Sequence, residues 1–267
     1  MKLLNGSELA SYISERQAKE VRRLQAIGVQ PTLRILMNVN DPVIQTYVRL
    51  KQRYGSEIGV EVQIDARDDD LTAAVAEVNT DSGVHGTIIQ LPVQGVDDLD
   101  ALLNSVASHK DVDGLGAHAD FDSATATAIL WLLAGYNVEL AGKRIVVVGQ
   151  GKLVGGPLSD ILLASGHDVV RANSDTEDLA RVVRGAEILI SGTGVPGLIQ
   201  ADWIRDGAVV VDAGTASDSG KIVGDLDQEV YARDNLTITP QKGGVGPLTV
   251  CSLFDNVLRS ARSSAVQ

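Results

Sequence analysis

Tyr47 and Lys51 are four residues apart, a spacing that puts a phenol and an amine on one face of a helix. A ring beside an amine holds a flat substrate and moves a proton, although the same spacing suits a solvated lysine beside a half-buried tyrosine. Gln90 stands where the apolar run Gly86-Thr87-Ile88-Ile89 gives way to Leu91 and Pro92. Proline has no N–H for a sheet ladder, so pairing stops there. The carboxyl ends of parallel strands are where open α/β sheets take ligands. In His109-Lys110-Asp111-Val112-Asp113-Gly114 a carboxylate is available to accept two hydrogen bonds from an amidine-like ring edge, or to cap a helix or turn.

A second group of residues suits a dinucleotide. Gly149-Gln150-Gly151-Lys152-Leu153-Val154-Gly155-Gly156-Pro157 follows the strand-like Ile145-Val146-Val147-Val148 and opens a helix. Glycines there permit a tight turn and close approach of a pyrophosphate to backbone amides, and a helix N-terminus favours its charge. The end of the following strand reads the adenosine ribose. Here it is Arg171-Ala172-Asn173-Ser174-Asp175, in which Arg171 and Ser174 favour the 2′-phosphate of NADP and Asp175 favours NAD. The segment from Thr239 to Thr249, with Gly243, Gly244, Gly246 and Pro247, suggests backbone that approaches a ligand closely, or a hinge.

These residues need elements to carry them. Ser7 is an N-cap candidate ahead of Leu9, Ile13, Val21 and Leu24 at helical spacing, with Gly28 and Pro31 ending that helix. Strands are predicted over 33–39, 60–64 and 86–93, with helices over 43–55 and over 71–78, the latter opened by Asp68-Asp69-Asp70. A long helix starts near Thr125 and leads into a Rossmann-like series with strands over 144–148, 168–171, 188–191, 209–212 and 236–239. An amphipathic helix over 250–261 comes last. The alternation predicts an α/β protein of two α/β domains with parallel sheets: a catalytic domain over 1–120, to which a C-terminal helix over 247–267 returns, and a Rossmann-like NAD(P)-binding domain over 138–246.

Composition narrows the function. The 267 residues are 44% hydrophobic but only 3% aromatic, so aliphatic side chains must fill the core, as in buried parallel sheets. A formal net charge of −12 disfavours nucleic acid and anionic membrane as partners. The single cysteine, Cys251, allows no internal disulfide, and the first residues carry no apolar signal core, so a cytoplasmic location is expected.

Taken in order, Tyr47…Lys51, Gln90-Leu91-Pro92, Lys110-Asp111-Val112-Asp113-Gly114, Val154-Gly155 with Pro157, and Gly243-Gly244-Val245-Gly246-Pro247 with Thr249 resemble the bifunctional methylenetetrahydrofolate dehydrogenase/methenyltetrahydrofolate cyclohydrolase family over nearly the whole chain. The resemblance implies oxidation of 5,10-methylenetetrahydrofolate with NADP, hydrolysis of the methenyl product to 10-formyltetrahydrofolate, no metal, and a homodimer of two-domain subunits with a cleft between the domains. It makes Lys51 the catalytic amine and packs Tyr47 against the folate. Gln90 bonds near Lys51, and Asp113 holds the pterin. Leu91, Pro92, Gly243, Gly244 and Pro247 line the substrate, and Gly149, Gln150, Gly151, Gly155, Arg171, Ser174 and Thr125 meet the cofactor. Hydride transfer needs positioning more than a strong base. Hydrolysis needs help with a water proton, which a lysine of lowered pKa beside a cationic substrate supplies.

The chain departs from the family pattern in places. Gly149-Gln150-Gly151 replaces Gly-Arg-Ser, whose arginine supports the 2′-phosphate, a role that leaves NAD as the alternative cofactor and Arg171 or Lys152 as substitutes. Pro240-Gln241-Lys242 and Ser123-Ala124-Thr125-Ala126 replace proline-rich segments, Ile44 replaces a serine, and the loop from Gly114 to Ser123 is short. Short-chain dehydrogenases share Tyr-x-x-x-Lys on a Rossmann fold, but there the glycine turn precedes the tyrosine; here it follows. A folate- or nucleotide-binding homologue with lost or partial activity is the other reading.

Overall fold

The computed structural model describes residues 1–67, 71–218 and 221–265. The elements run, in chain order, β1 (Lys2–Leu3), α1 (Gly6–Ala26), β2 (Thr32–Met37), α2 (Pro42–Ile58), β3 (Glu61–Ala66), α3 (Thr72–Thr80), β4 (Gly86–Ile89), α4 (Leu99–Asn104) and α5 (Ala124–Gly135). They continue with β5 (Arg144–Val148), α6 (Gly155–Ala164), β6 (Asp168–Ala172), α7 (Leu179–Arg184), β7 (Ile188–Ser191), β8 (Val209–Asp212), β9 (Ala216–Asp218), β10 (Lys221–Val223), β11 (Thr237–Ile238) and α8 (Val245–Ser264). The chain divides into two compact units, one of residues 1–10 and 125–249, the other of residues 11–124 and 250–267.

The second of these units is built on a parallel sheet in the order β3-β2-β4. Side chains alternate across a strand, and β2 shows it. Leu33, Ile35 and Met37 enter one apolar cluster with Val48, Ile58, Phe254 and Val257, while Leu36 enters another with Leu71, Val75 and Leu103. Helices therefore cover both faces. The C-terminal helix belongs to this layer: Phe254 is fully buried and its ring lies 5.1 Å from that of Tyr54. Tyr54 donates to Gln17 Oε1 at 2.6 Å, and Gln17 Nε2 donates to the Cys251 carbonyl at 2.8 Å, which ties α1, α2 and α8 through buried polar groups.

The other unit carries a wholly parallel sheet in the order β1-β11-β8-β7-β5-β6, with a separate antiparallel hairpin of β9 and β10. Ile145, Val146, Val147 and Val148 are all buried, the continuous aliphatic run that a sheet covered on both faces demands.

Several boundaries differ from the sequence expectation, each for a local reason. Helix α1 starts at Gly6, and Asn5 rather than Ser7 supplies the capping oxygen, accepting from Glu8 N at 3.3 Å. Helix α2 passes Gly55, where the missing Cβ admits Val62 and Phe254, and ends at Gly59 in the left-handed conformation with φ of 90°. Strand β4 stops at Ile89, before a cis Leu91–Pro92 bond. Helix α8 begins five residues earlier than the periodicity suggests, because Pro247 falls in its first turn, where no N–H is required. Strand β1 pairs with β11, so residues 2–3 join the sheet of the dinucleotide-like unit rather than the catalytic unit expected over 1–120. The expected helix-opening Asp68-Asp69-Asp70 lies outside the described residues.

Replacing Phe254 by alanine removes the largest buried contact of α8 and is expected to lower unfolding free energy by about 3–5 kcal/mol. Urea denaturation checks this; a loss under about 1 kcal/mol contradicts the role given to α8.

Candidate active site

In the unit of residues 11–124 and 250–267, the candidate catalytic side chains converge from three elements. Helix α2 is started firmly: Asp41 accepts from Val43 N at 2.8 Å and Pro42 occupies the first turn. Tyr47 and Lys51 lie one turn apart on it, both half-buried. Lys51 Nζ donates to Gln90 Oε1 at 2.9 Å. Gln90 follows β4, its amide nitrogen donating to the Leu36 carbonyl at 2.8 Å, and its Nε2 donates to the Leu91 carbonyl at 3.0 Å. That second bond fixes which end of the Gln90 amide faces the lysine. Leu91 is half-buried and Pro92 exposed.

Asp113 ends a segment held in place from two sides. Thr87 N donates to the Lys110 carbonyl at 2.7 Å, which continues the sheet. Asn256 Nδ2 donates to the Val112 carbonyl at 2.9 Å and Ser260 Oγ to the His109 carbonyl at 2.8 Å, both from α8. Asp111 caps the turn that follows, accepting from Gly114 N at 3.0 Å and Gly116 N at 2.7 Å. Lys110 is buried, its Nζ donating to the carbonyls of Val78 and Asp81 at 2.8 and 2.7 Å. Asp111 and Lys110 thus build the scaffold and Asp113 faces Lys51 electrostatically. Asn256, Ser260 and Tyr54 were not singled out by the sequence, since nothing local distinguishes them from other helix residues.

In the other unit the glycine turn follows β5. Gly149 has φ of 86°, a conformation that favours glycine, and an added Cβ would lie 2.6 Å from the Gly192 carbonyl oxygen. Space lies open around Gly151, and Val154 gives α6 no side-chain cap, so the turn and helix end fit a pyrophosphate. Gly155 passes against the Gly149 backbone. Gln150 folds back, its Nε2 donating to the Val147 and Gly149 carbonyls at 3.0 and 3.3 Å. Arg171 pairs with Asp160 of α6, and Ser174 Oγ reaches Asp175 Oδ1 at 3.5 Å. Thr125 sits in the first turn of α5, half-buried. Gly243, with φ of 80°, and Gly244 pack against the side chains of Ser7 and Thr239, where an added Cβ would crowd them. Pro247 is in the first turn of α8.

Comparison with known proteins decides what family these two sites define. The tetrahydrofolate dehydrogenase/cyclohydrolase catalytic-domain profile matches residues 4–113, and the profile of that family's NAD(P)-binding domain matches residues 123–265. The chain belongs to the tetrahydrofolate dehydrogenase/cyclohydrolase family. It is 35% identical to the bifunctional protein FolD of Lactobacillus gasseri over 95% of either chain. The structure superposes on the bifunctional FolD methylenetetrahydrofolate dehydrogenase/cyclohydrolase of Campylobacter jejuni with a TM-score of 0.92 and 32% identity, covering 98% of this chain and 99% of that one. The Trypanosoma brucei dehydrogenase-cyclohydrolase, solved with NADP and an inhibitor, gives a TM-score of 0.90 at 31% identity over 98% of this chain and 97% of that one.

Within this candidate site the charges are tuned by burial. Burial pushes the Lys51 amine below its ordinary value, against the opposing pull of Asp113. Burial pushes the Asp113 carboxyl up to about 6, with Lys51 pulling it down and Asp111 pushing it further up. Because the folded value is the higher one, the stability this carboxyl contributes is complete below its unfolded value of 3.8 and is lost as pH rises through about 6. Replacing Lys51 by methionine removes the cation that holds Asp113 down, so its pKa is expected to rise further. Carbon-detected NMR titration of the Asp113 carboxyl checks this; an unchanged or lower value would show that the two groups do not interact.

Proposed function

We propose that the protein oxidises 5,10-methylenetetrahydrofolate to 5,10-methenyltetrahydrofolate with NADP and hydrolyses that product to 10-formyltetrahydrofolate. The observation that carries this reading is the Lys51 Nζ to Gln90 Oε1 hydrogen bond of 2.9 Å beside half-buried Asp113. The nicotinamide, when bound, supplies the hydride acceptor. Tyr47 offers a ring against which the folate stacks, and Asp113 accepts from its pterin edge. Both act by placing the reacting carbon, the main requirement of hydride transfer.

Hydrolysis asks for a proton acceptor. An amine of lowered pKa has a larger neutral fraction near pH 7, and a methenyl cation beside it lowers the value further. Neutral Lys51 takes a proton from the attacking water, and Gln90 holds it by accepting from Nζ. Lys51→Met is therefore expected to slow methenyl hydrolysis about 10²–10⁴-fold while leaving the fold intact. The decay of methenyl absorbance measures it, and equal rates in variant and wild type reject the assignment.

Arg171 in β6 and Ser174, two residues beyond that strand, support NADP as the dinucleotide. Arg171 is engaged with Asp160, but exposed ion pairs are worth about 0–1 kcal/mol, so a phosphate competes readily for the guanidinium. The T. brucei relative carries NADP, which supports the same choice. Steady-state kinetics with both cofactors are expected to give the higher kcat/KM with NADP; a higher value with NAD overturns the preference. A homodimer and a place in one-carbon metabolism and purine biosynthesis in the cytoplasm belong to the same proposal.

A further inference from the structure

The carboxyl ends of β7 and β8 are joined by a buried acid to which neither reaction gives a role. Asp225 follows β10 and has no solvent exposure. Its Oδ2 accepts from the Ser191 hydroxyl at 2.7 Å and from Thr193 N at 2.6 Å. Ser191 is the last residue of β7, and Thr193 lies in the turn beyond it. The Asp225 backbone N–H donates to Asp212 Oδ1 at 3.0 Å, and Asp212 is the last residue of β8. Asp212 also accepts from Gly214 N at 3.0 Å, Leu226 N at 3.2 Å and the Tyr231 hydroxyl at 3.0 Å. Two carboxylates thus gather backbone amides and hydroxyls from the ends of adjacent strands. The other oxygen of Asp225, Oδ1, is buried with no donor among the described residues, an unusual state for an acid and a costly one for a group with packing duty alone.

The segment that Asp225 grips is a wall of the glycine turn. A Cβ on Gly149 would lie 2.6 Å from the Gly192 carbonyl oxygen and 3.0 Å from Thr193 Cα, and one on Gly192 would lie 2.9 Å from Val154 Cγ1. In the sheet, β5 stands between β6 and β7, so the strand order reverses there. Such a reversal, outside the carboxyl ends of the strands, is where open α/β sheets bind ligands. Asp225 holds one side of that point and Gly149 forms the other.

We infer that Asp225 is a positioning residue for the dinucleotide: its Oδ2 pins Ser191 and Thr193, which set Gly192 against the Gly149 turn. The inference rests on the reading of this unit as the dinucleotide-binding one. It assigns the effect to the acceptor oxygen, so asparagine, which retains an acceptor of the same reach, substitutes for aspartate and alanine does not.

Equilibrium dialysis with NADP on the full chain tests it, with methenyl hydrolysis measured in parallel because Lys51, Gln90 and Asp113 lie in the other unit. Asp225→Ala is expected to weaken NADP binding roughly tenfold, the scale of about 1.4 kcal/mol, with hydrolysis within about twofold of wild type. Asp225→Asn is expected to bind NADP within about threefold of wild type. Wild-type affinity in Asp225→Ala, or an asparagine variant as weak as the alanine one, overturns the inference. Should Asp225→Ala lose hydrolysis as well, Ser191→Ala decides, since it removes one hydrogen bond only. A weakening of about threefold supports the inference, and an unchanged affinity overturns it. A wild-type protein that binds neither NADP nor NAD removes the dinucleotide reading itself, a result distinct from each of these.

Discussion

An amine taken out of water needs an acceptor, and the Lys51 to Gln90 hydrogen bond meets that need in the catalytic unit. Burying the lysine pushes its pKa down, which enlarges its neutral fraction. The bond also dictates the surrounding architecture. Gln90 must leave β4 at the right point, so pairing stops at Ile89 and the chain turns at Leu91–Pro92. Helix α2 must present Lys51 at a fixed depth, so its start is capped by Asp41 and its later turns are anchored through Tyr54 to Gln17. Asp113 must face the lysine, so its segment is bonded to Thr87 of β4 and to Asn256 and Ser260 of α8.

The dinucleotide unit works under a different constraint. A pyrophosphate carries its own charge and needs backbone amides and a helix end in place of a tuned side chain. What must be exact there is the path of the main chain. Glycine at 149 and 155, and the aliphatic strands beneath, let the turn approach neighbouring backbone closely. Side-chain carboxylates then tie the strand ends together, with Asp212 and Asp225 serving as acceptors for amides that no sheet ladder satisfies. The two units are thus organised by different means: in one, burial tunes titratable groups; in the other, hydrogen bonds shape a loop.

The predicted site was legible where chemistry and spacing coincide. Tyr47 and Lys51 reveal themselves by helical period, Gln90 by its place at the end of an apolar strand, and Gly149 by its place between a strand and a helix. Arg171 was read as favouring the 2′-phosphate of NADP; its pairing with Asp160, eleven residues earlier, is set by how α6 lies on β6 and is invisible in the local sequence. Gly243 and Gly244 were read as a close approach of backbone to a ligand, or a hinge. Their partners in the structure are Ser7 and Thr239, and composition does not distinguish the two uses of a glycine.

By itself the sequence determined the α/β class, the parallel sheets and the family's ordered motifs, because alternating apolar periods and local turn chemistry act over a few residues. It also determined which side chains have reactive groups. Only the tertiary structure decided what those groups experience. The depth of Lys51, the raised carboxyl of Asp113 and the grip of Asp225 on Thr193 depend on elements from across the chain packing together. The pairing of β1 with β11 and the return of α8 to the catalytic unit are of the same kind. Such contacts join residues that are tens to hundreds of positions apart, and burial, which sets pKa and hydrogen-bond strength, exists only after they form.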